Sequence, residues 1–165
     1  IILIETMYYH TNYNSPLGKM LFVSDGEAIC GVWFYNQKFF KSTIDESVRK
    51  DDLEVFVQLK SWFDDYFRGL NPQINFKLKP DGSEFRKKVW KILCEIPYGQ
   101  TLTYGQIASK ISKTMSAQAV GGAVGHNPIS ILIPCHRVLG ANGKLTGYAG
   151  GLDKKIELLK LEKIL

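Results

Sequence analysis

The break at Lys79-Pro80-Asp81-Gly82 divides the chain into two stretches with different periodicities. Proline fixes φ and lacks an N–H, and a glycine follows closely, so neither a helix nor a strand runs through these positions. Upstream, short apolar runs alternate with turn sequences. Tyr8 to Tyr13 is aromatic-rich and strand-like and ends in Asn14-Ser15-Pro16-Leu17-Gly18. Met20 to Ser24 is a second run, and Asp25-Gly26 turns the chain into a third, Ala28 to Tyr35, so two hairpins are predicted. After a polar stretch, Leu53, Phe56, Leu59, Trp62 or Phe63, and Tyr66 or Phe67 recur at helical spacing. Gly69 closes that helix, Asn71-Pro72 prevents its continuation, and Ile74 to Leu78 fits a short strand.

Downstream the pattern is helical. Ser83 is placed to cap a helix with core face Phe85, Val89, Ile92 and Leu93, while Arg86, Lys87, Lys88 and Lys91 read as its solvated faces. Thr103 and Gln106 form a Thr-x-x-Gln capping box for a helix to about Ile111. A polar turn over 112–116 leads to a second helix, Ala117 to His126, stopped at Asn127-Pro128. A short helix, a tight turn and a second helix make a helix-turn-helix candidate. The second helix contains Ala117, Ala119, Gly121, Gly122, Ala123 and Gly125. Glycine costs a helix roughly 1 kcal/mol relative to alanine, so this density needs a reason. Either the backbone approaches something large, or it packs tightly on another helix. Ile131 to Leu139 reads as a buried strand interrupted by Pro134, and Tyr148-Ala149-Gly150-Gly151 as a flexible loop. Asp153 is expected to cap a last helix with core face Ile156, Leu159 and Ile164.

Charge follows the same division. Residues 1–80 carry nine Lys/Arg against ten Asp/Glu, and residues 81–165 carry twelve against six. The excess positive charge therefore lies entirely in the second half, as suits a surface that meets a polyanion. A composition of 45% hydrophobic and 22% charged residues excludes disorder and fibrous classes. No apolar run approaches the roughly 20 residues that span a bilayer. The opening IILI is too short for a secretory h-region and has no basic flank. Cys30, Cys94 and Cys135 are odd in number and widely spaced, which argues for a reducing, cytoplasmic setting rather than a disulfide framework.

Cys30 and Cys94 are embedded in apolar patterns and read as small core residues. Cys135 is presented after a proline and beside His136. A thiolate is a strong nucleophile, but free cysteine has a pKa near ~8.5, so a neighbouring imidazole that takes its proton, directly or through water, would make it reactive. Glu157 and Glu162 lie on the last helix, where either could orient the histidine. Cys-x-x-Cys and His-x-x-x-His spacings are lacking, so no metal and no cofactor are expected.

Pro134-Cys135-His136-Arg137-Val138, preceded by VGGAVGHNPISILI and followed by GYAGGLDKKIELL, resembles the O6-alkylguanine-DNA alkyltransferases, the methylated-DNA–protein-cysteine methyltransferases. The resemblance covers about residues 83–165 and extends weakly into the first half through SPLGKMLFVSDG. It implies an α+β two-domain fold: a ribonuclease-H-like α/β domain over 1–80 without that activity, then a helical DNA-binding and catalytic domain over 81–165 with a helix-turn-helix and the Pro-Cys-His-Arg segment. It implies direct reversal of damage. O6-alkylguanine, with O4-alkylthymine left open, is flipped out of duplex DNA, and its alkyl group passes irreversibly to Cys135. By the same resemblance His136 deprotonates Cys135 through a water and Glu162 orients His136. Asn127 braces the turn before the active-site strand. Tyr104 rotates a phosphate and donates to guanine N3. The Tyr148-Ala149-Gly150 lid offers the Ala149 N–H to O6, the Cys135 and Val138 carbonyls receive the exocyclic amine, and Ser130 and Ala149 border the alkyl pocket. Ala117, Gln118, Gly121 and Arg137 join Tyr104 on the DNA face, with Gln118 where the family usually carries an intercalating arginine. The implied partner is double-stranded DNA bearing O6-alkylguanine, met by a monomer with no membrane association. Two other classes fit less well. A non-enzymatic damage binder of this kind lacks the cysteine, and a thiol hydrolase leaves the small-residue helix and the basic half unexplained.

Overall fold

The computed structural model describes residues 6–165, and the opening IILI lies outside them. A four-stranded sheet is built from β1 (Tyr9–Ser15), β2 (Gly18–Ser24), β3 (Ile29–Phe34) and β4 (Val48–Arg49), in the order β3-β2-β1-β4. β1 and β2 are antiparallel from Tyr9↔Ser24 to Ser15↔Gly18, and β2 and β3 from Met20↔Phe34, with an irregularity at Val23/Ser24. The continuous run Met20-Leu21-Phe22-Val23 has no polar alternation because both faces of β2 are covered. Met20 and Phe22 face α1 (Glu54–Phe67), while Leu21 and Val23 join Cys30, Trp33 and Ile44 beneath a loop on the other side. Tyr13, Phe22 and Phe63 stack with centroids 5.2–5.7 Å apart and fix α1 to the sheet. Gly69, at φ +85°, ends α1 in the left-handed conformation that glycine adopts freely. The strand expected over 74–78 is absent as a strand: Leu78 alone bridges to Ile29 at the edge of β3.

The second half contains α2 (Glu84–Cys94), β5 (Leu102–Thr103), α3 (Tyr104–Ile111), α4 (Ala117–Gly125), β6 (Val138–Leu139) and α5 (Leu152–Leu161). Ser83 caps α2 by accepting from Arg86 N–H, and the Thr103–Gln106 capping box is complete in both directions. Trp90 and not Phe85 or Ile92 is the large buried residue of α2, and its indole donates to the Ala123 carbonyl of α4 at 2.8 Å. Cys94, expected in the core, lies on the exposed side of the last turn of α2.

Two further expectations are corrected. The segment 131–139 is not a continuous strand. Ile131 sits at φ +73°, Pro134 has no N–H for a ladder, and Cys135–Arg137 forms a 3-10 turn before β6 pairs in parallel with β5. Nor does Asp153 cap α5: Gly151, at φ +102°, occupies the cap position, and the buried stripe is Lys155, Leu158, Leu159 and Glu162, with Ile156 and Ile164 only half-buried. No helix among the described residues is long and apolar enough to cross a membrane.

The halves are not separately cored. Met20, Phe22, Phe56 and Tyr66 from the first belong to one cluster with Val89, Leu93, Ile133, Cys135 and Leu158 from the second. The edge of β3 is also sealed by the second half, because Val32 N–H donates to Pro128 O at 2.8 Å and Val32 O accepts from Ser130 N–H at 3.0 Å. An edge strand is thereby paired instead of left open.

Candidate active site

Asn127 sets the path of the chain between α4 and Cys135. Its side-chain amide donates to Ile133 O at 2.7 Å, and its oxygen accepts from Ile129 N–H at 2.9 Å. With both ends used inside the same loop, the asparagine staples the reversal that Ile131 makes in its left-handed conformation. The 3-10 turn that follows presents Cys135, only 6% exposed, on the floor of a cavity of about 340 Å³. The walls are Tyr104, Gly121, Val124 and Gly125 on one side and Gly147, Tyr148 and Ala149 on the other, with Lys38 and Phe39 reaching in from the first half. A volume near the lower end of the roughly 300–1,000 Å³ range of small-molecule sites suits one planar heterocycle with a small substituent.

Burial pushes the Cys135 thiol above its ordinary pKa, against the opposing influence of the Asn127 amide and the Lys155 ammonium. Burial likewise pushes His136, wholly inaccessible, below the ordinary histidine value, with Glu162 pulling the other way. At neutral pH the resting pair is therefore a thiol and a neutral imidazole. His136 Nε2 stands 2.6 Å from Glu162 Oε2. Glu162 is ionised: burial opposes its charge, but hydrogen bonds from His136, Arg137 and Tyr66 hold it well below the carboxylate range. An ionised carboxylate only accepts, so the proton of the imidazole is on Nε2 and the lone pair on Nδ1. Nδ1 is buried and has no protein partner. A base with its lone pair free, one residue from a thiol, is the arrangement that proton removal requires.

Of the two glutamates open to sequence reasoning, the structure selects Glu162, whereas Glu157 pairs with Lys160 on the outer side of α5. Arg137 is corrected as a DNA-facing residue. Its Nε and Nη2 donate to Glu162 at 2.8 and 3.1 Å, its Nη1 donates to Ile96 O at 2.8 Å, and the guanidinium lies over the Tyr98 ring. Tyr148 lines the cavity, and its hydroxyl is buried without a partner. Tyr104 opens α3 with its ring 3.8 Å from where a Gly121 Cβ would stand, and its hydroxyl accepts from Thr146 at 3.3 Å. Ala117 and Gln118 are exposed on the first turn of α4, apart from the cavity. Of the two expected amine acceptors, Cys135 O accepts from Val138 N–H, and Val138 O accepts from Lys155 at 2.6 Å. A carbonyl has two lone pairs, so each keeps one.

The small-residue helix is now explained in part. Gly122 and Gly125 have nothing within 4 Å of where a Cβ would project, so neither is there to let another helix in. Beyond Gln118 and Ala119, the outer face of α4 presents backbone to solvent at Gly122.

Three participants were not found from the sequence. Tyr66, on α1 of the first half, donates to Glu162 Oε2 at 2.6 Å and lies 3.4 Å from His136 Nε2. Its position on an apolar stripe marks it as core and says nothing of its hydroxyl. Gly99 N–H donates to Glu162 Oε1 at 3.1 Å. Lys155 is fully buried, with Nζ donating to Val138 O and, at 3.2 Å, to Thr146 O, and burial lowers its pKa. Here a signal existed: Lys155, Leu158, Leu159 and Glu162 share one helical face, and two charged residues on an apolar stripe mark groups that need partners.

Residues 84–164 match the family model described as 6-O-methylguanine DNA methyltransferase, DNA binding domain, and residues 7–80 match its ribonuclease-like domain. A methylated-DNA–protein-cysteine methyltransferase of Haemophilus influenzae is 44% identical over 160 residues, 96% of this chain and 88% of that protein. The protein of that name from Methanosarcina acetivorans is 46% identical over 154 residues, 93% and 97% of the two chains. Among solved structures, Mycobacterium tuberculosis OGT in complex with DNA superposes with a TM-score of 0.85 at 38% identity, covering 95% of this chain and 92% of that one.

Proposed function

Since both halves of the chain belong to the 6-O-methylguanine DNA methyltransferase family, we propose that it repairs DNA by taking the alkyl group of O6-alkylguanine onto Cys135. The observation that carries the assignment of residues is the 2.6 Å contact between His136 Nε2 and Glu162, which leaves a free Nδ1 lone pair on the residue next to a thiol that lines a base-sized cavity.

α3, the turn over 112–116 and α4 act as a helix-turn-helix, with the outer face of α4 laid against the sugar–phosphate wall of the minor groove. Side chains there would hold the helix away, and glycines let its backbone come close. An alkyl group on O6 lies inside the duplex, so the nucleotide is extruded into the cavity at a cost of a few kcal/mol. The Cys135 proton passes through a water to His136 Nδ1, and the imidazolium that forms is stabilised by Glu162 through Nε2–H. The sulfur lone pair forms a bond to the alkyl carbon as the carbon–O6 bond breaks. The electrons of that bond remain on the purine, which Tyr104 protonates at N3, lowering the charge on the leaving group. Sulfur is suited to this step because the product is a thioether, which is not hydrolysed whether or not water reaches it. Each molecule therefore acts once.

Asn127 serves the site by holding the Cys135 turn. Arg137 serves it by neutralising Glu162, so that the carboxylate is affordable in the core. The 1–80 and 81–165 division describes two functional parts of one folded unit. A monomer working in the cytoplasm is the simplest form consistent with these roles.

The test is incubation with a duplex containing one O6-methylguanine, followed by peptide mass mapping. One methyl per chain on the Cys135 peptide is expected, with Cys135→Ser binding the duplex and gaining none. A methyl on Cys30 or Cys94, or binding without transfer, would overturn the assignment.

A further inference from the structure

Three consecutive residues of the first half each bond or stack to a different segment of the second, and two of them, Lys38 and Phe39, line the cavity. Gln37, buried, accepts from Phe34 N–H at 2.8 Å and from the Ser130 hydroxyl at 3.3 Å, in the segment that leads from α4 to Cys135. Lys38 N–H donates to Ala149 O at 3.0 Å, in the lid loop. Phe39 stacks on His126, the residue that ends α4, with ring centroids 3.8 Å apart and planes 27° from parallel. The segment is thus pinned to the loop before Cys135, to the lid and to the end of α4 at once.

Phe39 does not behave as packing at a domain junction. It lines the cavity and remains 46% exposed, whereas residues that fill a core lie near zero. Its backbone is held at φ +58°, and Lys41 two residues on at φ +56°, both in the left-handed region that non-glycine residues avoid. Strained backbone that presents an apolar ring to solvent persists where the ring has a use. One face of the ring is taken by His126, and the ring borders the cavity into which a purine is extruded.

Resting on the function proposed above, we propose that Phe39 is the stacking platform for the extruded alkylated base, so that the ribonuclease-like half supplies part of the substrate site. A phenyl ring has no hydrogen-bonding code, and it recognises the π-face of any purine. It therefore acts on capture of the base and leaves the transfer of the alkyl group to Cys135, His136 and Glu162. The ring must sit at the end of α4, because there a base leaving the stack passes it before reaching the thiol. Stacking on His126 holds it ready.

The test uses single-turnover transfer from an O6-methylguanine duplex and from free O6-benzylguanine, with the full chain over a range of concentrations. Phe39→Ala is expected to raise the half-saturating concentration roughly five- to hundredfold, the range that follows from losing one base–aromatic stack. The saturating rate should stay within about twofold, because the reacting groups are untouched. Phe39→Trp should restore capture. Phe39→Gly accepts the left-handed backbone without strain, so it should lose capture as Phe39→Ala does while its unfolding temperature stays within a few degrees of the parent. Unchanged half-saturation in Phe39→Ala and Phe39→Gly, a loss confined to the saturating rate, or a Phe39→Trp no better than alanine would each overturn the proposal. If the parent chain itself gains no methyl on Cys135, it is the functional reading that fails.

Discussion

At Glu162 five donor groups converge on two oxygens: His136 Nε2, Tyr66 Oη, Gly99 N and two nitrogens of Arg137. The arrangement fixes the tautomer of His136 and keeps the carboxylate charged in a buried place. Glu162→Gln removes the charge that raises the pKa of His136 and leaves Arg137 without its counter-ion. The transfer rate should fall at least tenfold, with the roughly 10²–10⁴-fold that a positioned base contributes as the upper bound. Transfer needs neutral His136, so its acid limb lies below the ordinary histidine value and should move to still lower pH in the variant. A pH–rate profile identical to the parent's would show that His136 does not depend on this carboxylate. Gln118, at the first turn of α4, offers an amide where the family usually has a guanidinium. Gln118→Arg should tighten duplex binding, steepen the salt dependence by about one unit if the charge meets a phosphate, and leave transfer from the free base nearly unchanged. Salt titration and single-turnover rates check both. The Cys-His pair was legible in the residues themselves, whereas Glu162 stood open against Glu157 and was singled out only by the family resemblance. The inward turn of Arg137 was not legible, because the same guanidinium serves a phosphate or a buried carboxylate equally well, and only the fold decides which it meets.

Helix ends were the most legible feature at the scale of elements, since caps are local. Ser83, the Thr103–Gln106 box and the stop at Gly69 lie where the residues place them. Elements whose form depends on distant partners were not. The 131–139 stretch has the composition of a strand, but Pro134 and the Asn127 staple bend it into a turn that aims Cys135. α5 was misregistered because a buried lysine and glutamate do not look apolar. The outer face of α4 yields a prediction in which stability and binding move in opposite directions. Gly122→Leu meets open space, so it should raise stability by up to about 1 kcal/mol through helix propensity. The same side chain would hold the helix off the duplex and weaken DNA binding by about tenfold or more, the effect of losing roughly 1.4 kcal/mol of contact. Thermal unfolding and duplex titration measure the two, and unweakened binding would place DNA on another surface.

Across the whole molecule, the two halves share one core, and the Glu162 carboxylate of the second receives a hydrogen bond from Tyr66 of the first. Acid should therefore attack fold and site together. His136 and Glu162 both have folded pKa values below their ordinary 6.5 and 4.5. In each case the unfolded chain binds the proton more readily, so stability is full above about 6.5 and falls as pH drops. The histidine contributes first, and the glutamate adds to the loss below about 4.5. Thermal midpoints measured from pH 8 to pH 4 should decline in that order, and a flat profile would contradict the ionisation states assigned to the pair.

The sulfur that receives the methyl group belongs to a residue of this common core that also borders the cavity. In a spent molecule the methyl occupies space at the cavity floor and presses on the core residues behind it. Where that contact is tight the cost is about 1–3 kcal/mol, which for a chain of this size lowers the midpoint by roughly 2–12 °C. Unfolding curves taken before and after one equivalent of methylated duplex, with the DNA then removed, would reveal the difference. The same event that heals the DNA would then be written into the protein, and a shifted unfolding curve would tell used copies from fresh ones.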